Sequence, residues 1–149
     1  MKPAAWIALG FGALAIVATG AWLFVPREVR IDPTDAKSVA RGGPLYARHC
    51  AACHGGNLEG QPDWQSRNAQ GRLPAPPHDE HGHTWHHDDE VLFEVTKYGL
   101  AKHAPPGYQS DMPAFEGTLA DEDIVAVLAF IKSHWPALIH DKRREAGMN

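Results

Sequence analysis

The stretch that decides how the rest of this chain is read is Cys50-Ala51-Ala52-Cys53-His54. Its C-x-x-C-H spacing is that of covalent c-type haem attachment. Two thiols add across the two haem vinyl groups, and His54 follows at once, placed to bind iron from one face. Two residues between the thiols, on a tight helical turn, set both sulfurs along one porphyrin edge. Cys50 and Cys53 are the only cysteines in 149 residues, which leaves none for a disulfide or a thiolate nucleophile. Other uses of C-x-x-C fit less well. A redox dithiol belongs in a βαβ pattern, which is not visible, and a structural zinc site needs two more soft ligands where only histidines remain.

The surroundings extend the motif. Gly42, Tyr46, Cys50, Cys53, His54 and Gly55 form G-x-x-x-Y-x-x-x-C-x-x-C-H-G, which closely resembles the start of a class I cytochrome c. The resemblance runs from Gly42 to Trp135. It implies an all-α class I cytochrome c fold wrapped around one covalent haem, with an N-terminal transmembrane helix added here. Of the three methionines, Met1 is the start and Met148 lies in a charged tail. Met112, in Ser110-Asp111-Met112-Pro113-Ala114-Phe115, resembles the M-P-x-F loop that supplies the distal thioether to iron. Pro113 would stiffen that loop, and a soft thioether favours ferrous iron; a Met filling a gap in a core is the plainer alternative. The same resemblance implies that a proline of Leu73–Pro77, Pro74 or Pro76 foremost, accepts the His54 Nδ1 proton through its carbonyl. It also implies that Gly42 and Tyr46 meet the region of Phe130.

The N-terminus reads as an anchor. Residues 4–25 (AAWIALGFGALAIVATGAWLFV) are largely apolar and uncharged, and about 20 helical residues cross a hydrocarbon core. Trp6 and Trp22 lie roughly 24 Å apart along such a helix, one near each interface. A cleaved signal peptide is the alternative, with Ala18-Thr19-Gly20 as the cleavage site, but cutting there would expose Trp22-Leu23-Phe24-Val25. Flanking charge does not orient the segment. Export before haem attachment, implied by the resemblance, would place the haem domain in the periplasm on the inner (cytoplasmic) membrane. The chain carries 18 acidic and 14 basic residues, and of these only Lys2 precedes residue 27. The exported part is therefore acidic, which argues against nucleic acid and suggests partners with basic patches.

Four segments follow: residues 1–26 as anchor, 27–38 as polar linker, 39–140 as the monohaem domain and 141–149 as a frayed charged tail. A first helix after Asp32-Pro33-Thr34-Asp35 should be interrupted at Gly42-Gly43-Pro44. A second should run from Asp88 to Tyr98 with Val91, Leu92 and Val95 as its apolar stripe. A third should run from Leu119 to Trp135, with Thr118 as N-cap, Asp121 reaching back, and Ile124, Leu128 and Ile131 on one face.

His78, His81, His83, His86 and His87 fall within ten residues, among Asp79, Glu80, Asp88, Asp89 and Glu90. Three readings are open. The histidines decorate a loop whose Thr84 and Trp85 face the haem; or they bind a second metal such as copper; or one of them displaces Met112 at iron. Gly82–His87 (GHTWHH) also resembles a segment of small bacterial membrane-linked monohaem cytochromes.

The function implied is that of an electron carrier rather than an enzyme. Cys50 and Cys53 hold haem c, His54 and Met112 bind the iron, and a metal with two protein ligands keeps no open position for substrate. The anchor would hold the carrier near a quinol-oxidising complex, a terminal oxidase or a periplasmic oxidoreductase. Two alternatives stand: an electron-transfer subunit of a larger oxidase or dehydrogenase complex, and a copper-handling or sensing protein that uses the His78–His87 cluster.

Overall fold

A computed structural model describes residues 29–148; the expected anchor over residues 4–25 lies outside them. Among the described residues the secondary structure is helical throughout, with no strand, and no helix is long and apolar enough to cross a membrane.

Helix α1 spans Ala36–His49 and is capped by Asp35, whose carboxylate accepts from the Lys37 amide at 3.1 Å. Asp32 instead closes the preceding turn, accepting from the amide and hydroxyl of Thr34. The expected interruption at Gly42-Gly43-Pro44 is corrected: α1 runs through Pro44 and ends at Cys50, whose amide still donates to the Tyr46 carbonyl. Pro44 costs the helix one N–H donor, and the buried Gly42 and Tyr46 on either side hold the segment by packing. The single turn α2, Ala51–His54, then carries the motif.

Helix α3, Asp89–Tyr98, has Asp88 as N-cap, accepting from the Val91 amide at 2.9 Å, and ends at Gly99 with φ +80°. Its buried residues are Asp89, Leu92, Phe93 and Thr96. Of the expected stripe Leu92 is buried, while Val91 and Val95 are half-buried, and the inward face also carries a charge, Asp89. Helix α4, Asp121–Ser133, starts two residues later than expected. Its N-cap is Ala120 and no side chain caps it, while Asp121, Glu122 and Asp123 supply negative charge to its first turn. Thr118 lies in the preceding turn, its amide donating to the Phe115 carbonyl. Ile124, Val127, Leu128 and Ile131 are all buried.

The centre of the fold is the crossing of α1 and α4. A Cβ on Gly42 would lie 2.0 Å from the Ala126 carbonyl oxygen, so only glycine lets the two backbones meet. Tyr46 stacks one turn later on Phe130, with ring centroids 5.4 Å apart. The contact expected of Gly42 and Tyr46 with Phe130 is present.

The tail is a correction. Residues expected to fray form helix α5, Ala137–Glu145, and Arg143 on it is 1% exposed. Its guanidinium donates to Asp89 Oδ1, to the Trp85 and His87 carbonyls, and to the Met148 carbonyl at 2.6 Å. Lys132 Nζ donates to both Asp89 oxygens and to the Ile31 carbonyl, and the Ile31 amide donates to Asp89 Oδ2 at 2.9 Å. Burying charges costs several kcal/mol per ion unless each is paired and hydrogen-bonded. Here one carboxylate takes two cations and an amide. The linker expected over 27–38 is thereby partly absorbed into the domain: Ile31 is 1% exposed.

Two predictions follow from this packing. Gly42→Ala should destabilise the domain by about 2 kcal/mol through overpacking at the crossing. Gly43→Ala, whose Cβ would meet only the Phe130 ring at 3.4 Å, should be neutral or stabilising; urea unfolding compares them. Burial also holds the imidazoles of His78, His83, His87 and His140 below their ordinary value of 6.5. The unfolded chain then binds protons more readily than the folded one, so stability is full above about pH 6.5 and falls as pH drops through it. Thermal unfolding at pH 7.5 and 5.5 tests this, and equal midpoints would refute it.

Candidate haem site

Three local arrangements build the site. In the first, α1 delivers the motif. His54 follows Cys50 in one helical turn, its amide donating to the Cys50 carbonyl at 2.9 Å, and Gly55 with φ +83° ends the turn. The Tyr46 hydroxyl donates to the Gly55 carbonyl at 2.7 Å, tying the motif to the helix that carries it. Cys50 is half-buried and Cys53 exposed, and both are free thiols. Burial and the neighbouring Cys53 push the Cys50 thiol up to about 11.

In the second, the proline-rich loop folds back on the motif. The His54 carbonyl accepts from the Gly60 amide at 2.8 Å, and the Gln61 amide donates to the Ala75 carbonyl at 2.9 Å. Gly60 has φ +69°, and a Cβ there would lie 2.4 Å from the Pro77 nitrogen. This return places the Pro76 carbonyl 2.9 Å from His54 Nδ1. Of the two foremost prolines, Pro76 is therefore the acceptor. A carbonyl can only accept, so Nδ1 carries the proton and Nε2 keeps its lone pair, the tautomer a metal needs. His54 is 8% exposed, and desolvation lowers its proton affinity further, partly offset by the Pro76 hydrogen bond.

In the third, Met112 sits half-buried against the core on the loop between α3 and α4. The loop is tied down beyond it by the Phe115 and Glu116 amides, which donate to the Thr96 and Lys97 carbonyls. Before it, the Met112 amide donates to the Ser110 hydroxyl at 3.0 Å. Asp111 pairs with Arg72 of the proline-rich loop, linking the Met112 loop to the one that holds His54. Arg67 lies over the Tyr108 ring at 5.7 Å, a second link between them.

These residues fit a covalent haem: two free thiols on one turn, an imidazole presenting a bare Nε2, and a thioether on a braced loop. Arg72 Nε adds a buried donor without a partner beside the Met112 loop, suited to the carboxylates that haem carries.

The structure disperses the histidine cluster. His81 gathers with Asp79 and Glu80, their ligand atoms within 4.8 Å of one another, on an exposed turn. His83 stacks on Trp64 at 5.6 Å and meets His87 edge-on at 5.5 Å. His86 stacks on Trp85 at 3.6 Å. His78 is elsewhere, its ring 3.9 Å from that of His54. The five do not converge on one centre, because the turn after Pro77 and the 3-10 turn Thr84–His86 fan them toward different partners. Trp85 has Lys142 over its ring at 5.5 Å, and its buried indole Nε1 has no partner among the described residues. Sequence reasoning missed the His54–His78 pair. Its only signal was that His78 stands two residues after Pro76.

A comparison with curated proteins gives no match. Among solved structures, the crystal structure of cytochrome cL from the marine methylotrophic bacterium Methylophaga aminisulfidivorans is similar, with 23% identity and a TM-score of 0.49 over 78% of this chain and 72% of that one. The cytochrome c family model matches residues 39–135, a span that takes in the attachment motif, the proline-rich loop, Met112 and α4. With that match laid over the geometry just described, the chain belongs to the cytochrome c family, electron-transfer proteins that carry covalently attached haem c.

Proposed function

We propose that this protein is a membrane-anchored monohaem carrier that takes one electron from one periplasmic redox partner and gives it to another. The observation that carries the reading is the His54–Pro76 bond. It fixes the imidazole in the metal-binding tautomer beside the two attachment cysteines. Bound haem iron supplies a one-electron couple. Cys50 and Cys53 would fix the group covalently, and the His54 nitrogen and the Met112 thioether would bind its iron. Iron held by two protein ligands would suit outer-sphere electron transfer rather than substrate binding. The thioether favours the ferrous form and raises the potential.

The apolar, uncharged run of residues 4–25 supports the anchor. The acid-rich composition beyond it supports docking to partners with basic surfaces, among which a quinol-oxidising complex, a terminal oxidase or a periplasmic oxidoreductase fit.

The optical spectrum of the full-length, haem-loaded protein tests this. The ferric form should show the weak far-red charge-transfer band of thioether ligation, and Met112→Ala should abolish it. The ferrous wild type should not bind carbon monoxide at neutral pH, whereas Met112→Ala should. A wild type that lacks the band and binds carbon monoxide would overturn the carrier reading in favour of a sensor.

A further inference from the structure

The His54 ring is held by one hydrogen bond, from Nδ1 to the Pro76 carbonyl. That bond fixes the tautomer and restrains rotation about Cβ–Cγ, but it touches only one edge of the ring. A second contact covers its face. The His78 ring lies against the His54 ring, with centroids 3.9 Å apart and planes 21° from parallel. Two stacked rings cannot rotate independently at that distance without losing contact or clashing.

His78 can act this way because it is itself immobilised. Its backbone is pinned on both sides: its amide donates to the Leu58 carbonyl at 2.8 Å, and its carbonyl accepts from Trp135 Nε1 at 2.7 Å. Leu58 and Trp135 are both buried. Its side chain is hydrogen-bonded through Nδ1 to the buried Thr84 hydroxyl at 2.8 Å, and its ring lies edge-on to Tyr46 at 6.5 Å. An aliphatic side chain would fill the same space. It would have no polar atom for Thr84 to hold and no flat face to match the imidazole plane.

We propose that His78, oriented by Thr84, is a positioning residue that sets the plane of the His54 ring. The proposal rests on His54 being the axial ligand, as the proposed function has it. The orientation of an axial imidazole plane directs the unpaired spin of low-spin ferric haem among the pyrrole rings. It is therefore read directly in the order and spread of the paramagnetically shifted haem methyl resonances.

The test is proton NMR of the ferric, haem-loaded full-length protein, with optical spectra alongside. The variants are Thr84→Val, which keeps shape and loses the hydroxyl, Thr84→Ser, which restores it, and His78→Leu. Thr84→Ser should reproduce the wild-type methyl pattern. Thr84→Val and His78→Leu should change the order or compress the spread of the four methyl shifts, while the ligand-sensitive optical bands stay as in wild type. If His78→Leu does not mature, the Val/Ser pair at position 84 decides. Methyl patterns in Thr84→Val that coincide with wild type overturn the positioning role. A wild-type spectrum without low-spin histidine ligation overturns the ligand assignment instead, and the two failures are told apart by the optical spectrum.

Discussion

The rest of the site hangs on a missing methyl group. At Gly42 the backbones of α1 and α4 approach until a Cβ would stand 2.0 Å from the Ala126 carbonyl oxygen. That approach sets where the last turn of α1 points. Tyr46, one turn on, is wedged against Phe130 and uses its hydroxyl to hold the Gly55 carbonyl. Cys50, Cys53 and His54 lie between those two fixed points. A covalent haem has little tolerance for thiols that wander, and here the turn that bears them is clamped at both ends by the helix crossing.

A second constraint is the buried ion cluster. Asp89, Lys132 and Arg143 are nearly inaccessible, at 3, 4 and 1% exposed, and between them they bind the segment before α1, three helices and the 3-10 turn. The arrangement has two cations to one carboxylate, so backbone carbonyls of Ile31, Trp85, His87 and Met148 carry part of the burden of solvating positive charge. Asp89 also stands in the first turn of α3, where the helix dipole favours a negative group. Replacing this cluster with apolar residues need not weaken the domain, but removing Asp89 alone would leave two buried cations without a counter-ion. The cluster joins elements that also meet in the apolar core, where Ile31, Leu92, Ile131 and Ile139 are buried together.

The attachment motif was legible in five neighbouring residues, whereas the proline carbonyl for His54 and the meeting of Gly42 and Tyr46 with Phe130 were implied by the family resemblance, and both contacts are present. Most of the departures come from pairings distant in sequence. Nothing near Val91 or Val95 says that α3 turns a carboxylate inward, because the reason, Lys132 and Arg143, stands more than 40 residues away. A tail reading Asp-Lys-Arg-Arg-Glu looks solvated until Arg143 finds a buried acid. Pro44 looks like a helix break until the packing of Gly42 and Tyr46 outweighs the lost donor. The histidine run left a loop decoration and a metal cluster both open, because spacing along a chain does not reveal how a turn fans its side chains. His78 stacks on His54 rather than gathering with its neighbours.

The position of Ile31 has a mechanical consequence. Its amide and carbonyl are held by Asp89 and Lys132, and Arg143 of the same cluster holds the Met148 carbonyl. Both ends of the described chain are thus fastened to one knot. Tension applied from the N-terminal side, as any tether would apply it, loads that knot before it reaches α1. The ion cluster would bear the strain as shear between Ile31 and α4, and the turn bearing Cys50 and His54 would feel little of it. A pull on the chain before Ile31 would thus meet the ion cluster first and the attachment turn last.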